Sequence, residues 1–396
     1  AGLSSHSLGN RRWWAGAGSV LFKSTNTDPS STWAQDAIAV GDGTPTDLSF
    51  VSSDIVHFEG ALIVSTSTDL HRLASGSWDK SWWDTTLAQA AMTASIYHPL
   101  HVWERTLLIG DTNNLHIIDK DNIVTASRIV LSPEFYIVKI ISRIDRIWLL
   151  TRHIYGGDTM IFEWDGRANT YLRQYSAKAN QCLSGVVSKN GIAYVINGNG
   201  QLLEFTGSGF EEAARLPAFT ETKFRTTSLN TLSAWDDGNT PKRMVHNNGM
   251  AVVDDNVHIL LSGAILATPR LFENMPSGVW IYKKENGLFH SYSLTQHKTG
   301  AISDYGTSVI VNPGAIIAYD KGSFIAGGTI YTDDLSTQLH AIFLKTIAYT
   351  PNSSYIIYSR ILTSEIQNIW KGIWLKFSQM SVAANKIIVK KRIKRD

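Results

Sequence analysis

The sequence predicts an all-β fold, a β-propeller of about seven four-stranded blades, with six or eight as neighbouring counts. Three observations predict it. First, a short apolar run recurs along the chain: Val20-Leu21-Phe22, Leu62-Ile63-Val64, Leu107-Leu108-Ile109, Ile147-Trp148-Leu149, Ile192-Ala193-Tyr194, Val257-His258-Ile259 and Phe324-Ile325-Ala326. Their first residues lie 42, 45, 40, 45, 65 and 67 apart, against about 40–50 residues for a four-stranded blade. Second, 13 Trp, 14 Tyr and 14 Phe suit pleated, half-buried surfaces. Third, no segment sustains a 3.6-residue apolar period with caps.

Each unit has its own local signals. Residues 1–50 are rich in Ser, Thr and Gly and are expected to contribute the first blade, with strand candidates at Gly18–Ser24 and Ala37–Val40. Residues 51–385 form the body of the propeller. In the second unit, His57-Phe58-Glu59-Gly60 turns the chain into Ala61–Ser65, followed by Asp69–Leu73. In the third, Asp111-Thr112-Asn113-Asn114 joins Leu107–Gly110 to Leu115–Asp119, and in the fifth Asn197-Gly198-Asn199-Gly200 leads into Gln201–Thr206. Asn and Gly tolerate the positive φ that tight hairpins require. Asp254-Asp255-Asn256 opens the sixth core. The Ala-rich stretch Asp84–Ala94 is the best helix candidate. Two insertions, 210–247 and 266–278, carry Pro, Asn and Asp and read as surface loops. They account for the two long spacings.

Composition narrows the function. A net charge of +2 and 18% charged residues give no overall attraction to nucleic acid or to a membrane surface. No run of 18 apolar residues is present, so no membrane insertion by a helix is expected. Cys182 is the single cysteine, which rules out an intrachain disulfide and a cysteine zinc site. The chain opens at Ala1 without a leader and reads as a processed or excised piece. Phosphate-loop, His-Glu-x-x-His and Gly-x-Ser-x-Gly patterns are absent. We expect no cofactor, no metal and no catalytic residue. His98-Pro99-Leu100-His101 has three-residue spacing, but its proline opposes the helix that would align two ligands.

Ligand-binding candidates are aromatic. Trp78, Trp82 and Trp83, interleaved with Ser77, Asp79 and Ser81, read either as a sugar-stacking platform or as packing between blades. Trp13-Trp14 admits the same two readings. In the insertions, Trp235 with Asp236 and Asp237, and Arg270 with Phe272, place a stacking ring beside groups that bind hydroxyls, on loops of a rigid rim. The C-terminal run Lys386–Arg395 carries six basic residues. It reads as a charged edge strand, or as a linker (386–396) toward a further domain, in preference to a nucleic-acid arm.

Two resemblances follow. Asn26-Thr27-Asp28-Pro29-Ser30-Ser31-Thr32-Trp33 resembles the Asp-box hairpin of sialidase-like propellers in its Asp, Thr and Trp, with Asn26 and Ser30 departing from the pattern. It implies a propeller turn, without the arginine triad of those enzymes. Phe58–Thr66, Trp78–Trp83 and Leu108–Asp119 together resemble β-propeller proteins of tailed phages and phage-like genomes. That resemblance implies a non-catalytic structural or receptor-facing tail or fibre protein of a virion, with other virion proteins and host-surface glycan as partners. The alternative is a carbohydrate-binding or glycoside-hydrolysing propeller.

Overall fold

The computed structural model describes residues 3–8, 10–17, 20–26, 33–35, 54–95, 97–143, 145–216, 245–265, 278–293, 309–319, 322–331 and 338–345. These residues build an all-β propeller from antiparallel four-stranded sheets. The first sheet is β1 (Leu3–Leu8), β2 (Asn10–Ala17), β3 (Val20–Ser24) and β4 (Trp33–Gln35); the second is β5 (Asp54–Phe58), β6 (Ala61–Ser65), β7 (Leu70–Ala74) and β8 (Ser77–Asp79). The third is β9 (Leu100–Trp103), β10 (Thr106–Asp111), β11 (Asn114–Asp119) and β12 (Val124–Val130); the fourth is β13 (Phe135–Arg143), β14 (Arg146–His153), β15 (Met160–Trp164) and β16 (Arg173–Ser176). The fifth is β17 (Cys182–Val187), β18 (Ala193–Asn197), β19 (Gln201–Phe205) and β20 (Phe210–Arg215). The sixth skips one strand: β21 (Met250–Val253), β22 (Asn256–Leu261), β24 (Gly278–Lys283) and β25 (Gly287–Ser293). The skipped strand, β23 (Gly263–Ile265), pairs with the start of β26 (Val309–Ala318), and β27 (Phe324–Tyr331) and β28 (Gln338–Lys345) complete a seventh sheet.

The recurring apolar runs have a physical origin. The second strand of a blade is covered on both faces by its neighbours, so it reads as a continuous apolar run rather than an alternation. β6 and β18 are buried at every position. Successive residues feed opposite interfaces: Leu62 and Val64 pack with Trp14 and Leu21 of the first sheet, whereas Ile63 packs with Leu107 and Ile109 of the third. Leu108 then joins Ile147 and Leu149 between the third and fourth sheets, and Trp148 and Leu150 join Val195 and Leu203 between the fourth and fifth. Hairpin chemistry fixes the register. Glu59 and Gly60 both adopt positive φ (42° and 77°) between β5 and β6, as the tightest hairpins require.

Several expectations need correction. Six of the seven apolar cores fall on the strand following the sheet's innermost one, but Val20–Phe22 lies on β3, one strand further out. The equivalent strand of the first sheet is β2, whose Trp13-Trp14-Ala15 run is interrupted by glycine and was read as a separate motif. The Ala-rich stretch holds only a five-residue π turn, Trp82–Thr86. Beyond it the chain runs irregularly, held by Met92 N–H to Thr68 O (3.2 Å) and Ser95 N–H to Ser67 O (3.0 Å). The insertion at 210–247 begins later than expected, because Phe210–Arg215 is strand β20. Asn26 to Trp33 does join β3 to β4, with Ser24 paired to Trp33; Thr27–Thr32 lie outside the described residues, as do Ala37–Val40 and 386–396.

Leu108 is fully buried between two sheets. Leu108→Ala should lower the unfolding free energy by about 2–5 kcal/mol in denaturant titration, and Ile147→Asp should prevent folding. Asn199→Ser, in a half-buried turn, should cost less than about 1 kcal/mol.

Candidate functional site

The first strands β1, β5, β9, β13, β17 and β21 line the channel of the propeller, each against the next, and β26 touches both β21 and β1. Where a propeller gathers chemistry, this channel is its usual site. The segment Val245–Gly249, just before β21, makes several of the channel's described polar contacts. Asn248 Nδ2 donates to Asp54 Oδ1 of the second sheet at 2.9 Å, and Asn248 Oδ1 accepts from Lys139 Nζ of the fourth. The Asn248 carbonyl accepts from Ile316 N–H of the seventh sheet at 2.9 Å. The neighbouring Asn247 carbonyl accepts from Ser184 Oγ of the fifth sheet at 2.7 Å. Two adjacent asparagines thereby tie four sheets.

Asp54 is the second hub. Its carboxylate also accepts the N–H of Ile55 (2.9 Å) and of Leu100 at the start of β9 (3.1 Å), and it lies 3.9 Å from Lys139 Nζ. Its backbone N–H donates to Ser65 Oγ at 2.9 Å. The carboxylate thus accepts three hydrogen bonds within the protein, of the about four it can take. Asp54 is also the one carboxylate carried by these strands, β1, β5, β9, β13, β17, β21 and β26. Between β9 and β13, His101 Nε2 and Ser142 Oγ are 2.7 Å apart. That is the spacing of a base and a nucleophile. Burial, with added repulsion from Lys139, pulls His101 down to about 3, which opposes the charged imidazolium that a base in that role must become.

The predicted site residues do not converge. Trp82 and Trp83 are 1% and 2% exposed and pack with Ile63, Leu107 and Ile109 between the second and third sheets. Trp83 Nε1 donates to Ala90 O at 2.8 Å and its ring meets His116 edge-on, while Arg72 covers the Trp82 ring. Neither ring offers a face for stacking sugar. Trp78 is half-buried against Trp14 at 6.3 Å, in the interface of the first and second sheets. Of the two readings, the cluster takes the packing one. Trp235, Asp236, Asp237, Arg270 and Phe272 lie outside the described residues. His98 and His101 diverge: His98 faces the carbonyls of Ser67 and Gly110, away from Ser142. Cys182 is buried on β17, and desolvation pushes its thiol up to about 12, which leaves it unreactive. Sequence reasoning missed Asp54, Lys139 and Asn248. The signal available was weak: Asp54 opens the mostly apolar strand Ile55-Val56-His57-Phe58, and Asn247-Asn248 precedes the apolar Met250–Val253.

No protein-family profile matches the chain, and no curated protein matches it by sequence. Solved structures do match. The β-propeller domain of Cps50 (Swd1) from Myceliophteria thermophila aligns with a TM-score of 0.51 at 11% identity, over 87% of this chain and 98% of that one. Virginiamycin B lyase from Staphylococcus aureus, in a catalytically inactive variant with quinupristin, aligns at 0.50 with 8% identity, over 84% and 91%. A streptogramin B lyase aligns at 0.50 with 10% identity, over 82% and 89%. At such identities the likeness is one of fold and carries no chemistry.

Buried histidines give the fold a pH dependence. His71 is depressed to about 4, by burial first and then by Lys80; His246 lies well below its ordinary value, by burial with Lys139 contributing. A neutral histidine in the folded state binds fewer protons than in the unfolded state. Stability therefore falls as pH drops below 6.5 and levels off below about 3–4, with each histidine contributing a slope of up to about 1.4 kcal/mol per pH unit. Denaturant titrations from pH 4 to 7 should show His71→Gln with a shallower slope than the parent. An unchanged slope would remove His71 from this account.

Proposed function

We propose that this chain is a non-catalytic, structural or receptor-facing β-propeller of a tailed-phage virion, associated with the tail or fibre and assembled with other virion proteins. The observation that carries the non-catalytic reading is the state of Asp54. Glycoside hydrolysis needs two carboxyl groups facing each other across about 5–10 Å. The channel strands supply one, and its oxygens are committed to Ile55, Leu100, Asn248 and Lys139. The virion assignment is supported by the wording of Phe58–Thr66, Trp78–Trp83 and Leu108–Asp119.

The reading includes a ring of seven blades. Its support is that β26 lies against β21 and β22 on one side and against β1 on the other. Trp13 of the first sheet also meets Tyr319, just after β26, edge-on at 5.4 Å. The seventh blade differs from the other six in taking β23 from the loop of its neighbour.

Gold-labelled antibody against the protein should decorate the tails of tailed particles, and the purified protein should release no reducing ends from host-surface polysaccharide. Particles left bare, with the antigen found elsewhere, would refute the virion assignment. Steady release of reducing ends that Asp54→Asn abolishes would replace the scaffold with a glycosidase.

A further inference from the structure

The rim of the fourth blade carries a small built site outside the channel. The loop from β14 to β15 is organised around one imidazole. His153 Nδ1 accepts the backbone N–H of Tyr155 at 3.2 Å and of Gly157 at 3.1 Å, and Gly156 N–H donates to the His153 carbonyl at 3.2 Å. Gly157 lies so close over the ring that a Cβ there would stand 3.0 Å from Nε2. The ring is held from its other side by Phe135, edge-on at 5.3 Å. This scaffold presents Tyr155, which is 82% exposed and meets His153 at 6.1 Å. Ile154 N–H donates to the Glu134 carbonyl at 2.9 Å, which brings the Ser132–Glu134 turn alongside. Ser132 Oγ donates to the Glu134 carboxylate, and that bond first, with the Glu134 backbone N–H adding, holds the carboxyl below its usual range.

From this geometry we infer that Tyr155, Glu134 and His153 form a subsite for a neutral saccharide. It rests on the receptor-facing part of the reading above. Each component matches a part of a sugar ring. The exposed phenol face stacks on apolar C–H faces. The ionised Glu134 accepts from hydroxyls. Because Nδ1 is occupied as an acceptor, the neutral imidazole carries its proton on Nε2 and can donate to a hydroxyl oxygen. The order of the loop lowers the entropy lost on binding. A protein partner fits less well. Among the described residues the other exposed large apolar side chains are Ile123 and Val130, near the two ends of β12, and Leu172, just before β16, too few to form the apolar core of the roughly 1,000 Å² of contact that a specific protein interface needs. The carboxylate disfavours acidic sugars by repulsion.

The test is an oligosaccharide array carrying neutral and acidic sugars, read with the full chain and with Tyr155→Ala and Glu134→Gln, both at surface positions that leave the cores intact. Hits are followed by titration calorimetry. The expected result is binding of at least one neutral oligosaccharide, weakened about tenfold or more by Tyr155→Ala and measurably by Glu134→Gln. Binding of acidic sugars only, binding indifferent to Tyr155→Ala, binding of protein alone, or no glycan bound at millimolar concentration would each overturn the site. Such a failure with antibody-decorated tails would leave the virion role standing, whereas undecorated particles with Tyr155-dependent sugar binding would remove the role and keep the site.

Discussion

A blade of this protein is apolar on both faces, and no blade can bury both by itself. Along β6, Leu62 and Val64 face one neighbour and Ile63 the other; β10 and β14 repeat the arrangement with Leu107, Leu108 and Ile109 and with Ile147, Trp148 and Leu149. Each such side chain contributes roughly 1.5–3 kcal/mol when fully buried, so sheets stack until none is left with a bare face. A ring is the arrangement in which a stack of twisted sheets has no ends. The tryptophans follow from the same constraint. Trp14, Trp82, Trp83, Trp148, Trp164 and Trp280 are all buried in these interfaces, where a large ring fills the space between diverging strands.

A ring of wedges leaves polar backbone and side chains around its axis, and these need partners. Here much of that need is met by Asp54, Lys139, Asn247 and Asn248, which link the second, fourth, fifth, sixth and seventh sheets. A half-satisfied network of this kind would be a liability in a region of low dielectric. The bonds made here favour a single ring geometry, although Asn247 Oδ1 is buried without a partner among the described residues. Asp54 takes its place in this network by accepting from Ile55, Leu100 and Asn248.

The parts of this molecule that could be read in the sequence are those governed by local spacing. Strands covered on both faces announce themselves as apolar triplets, and hairpins such as Glu59-Gly60 and Asn197–Gly200 announce themselves by residues that accept positive φ. The first blade was read one strand out of register because Trp13-Trp14-Ala15-Gly16 is a less regular apolar run than Val20-Leu21-Phe22. The channel was illegible for a different reason. Asp54 and Asn248 are 194 residues apart, and no spacing rule joins a carboxylate to an amide across that distance. Trp82 and Trp83 show the converse: their composition suited a sugar platform, and only their burial decides for packing. Tyr155 was passed over because a single tyrosine before Gly156-Gly157 looks like any surface turn; what distinguishes it is the imidazole beneath.

The central claim is that the channel carboxylate holds the ring together. A double-mutant cycle on Asp54→Ala and Asn248→Ala, read as unfolding free energy, tests it most directly. The account predicts that each single variant is destabilised and that the pair is non-additive by about 1–3 kcal/mol, because either change alone breaks the same tie. Additive effects, or an Asp54→Ala protein as stable as the parent, would contradict it.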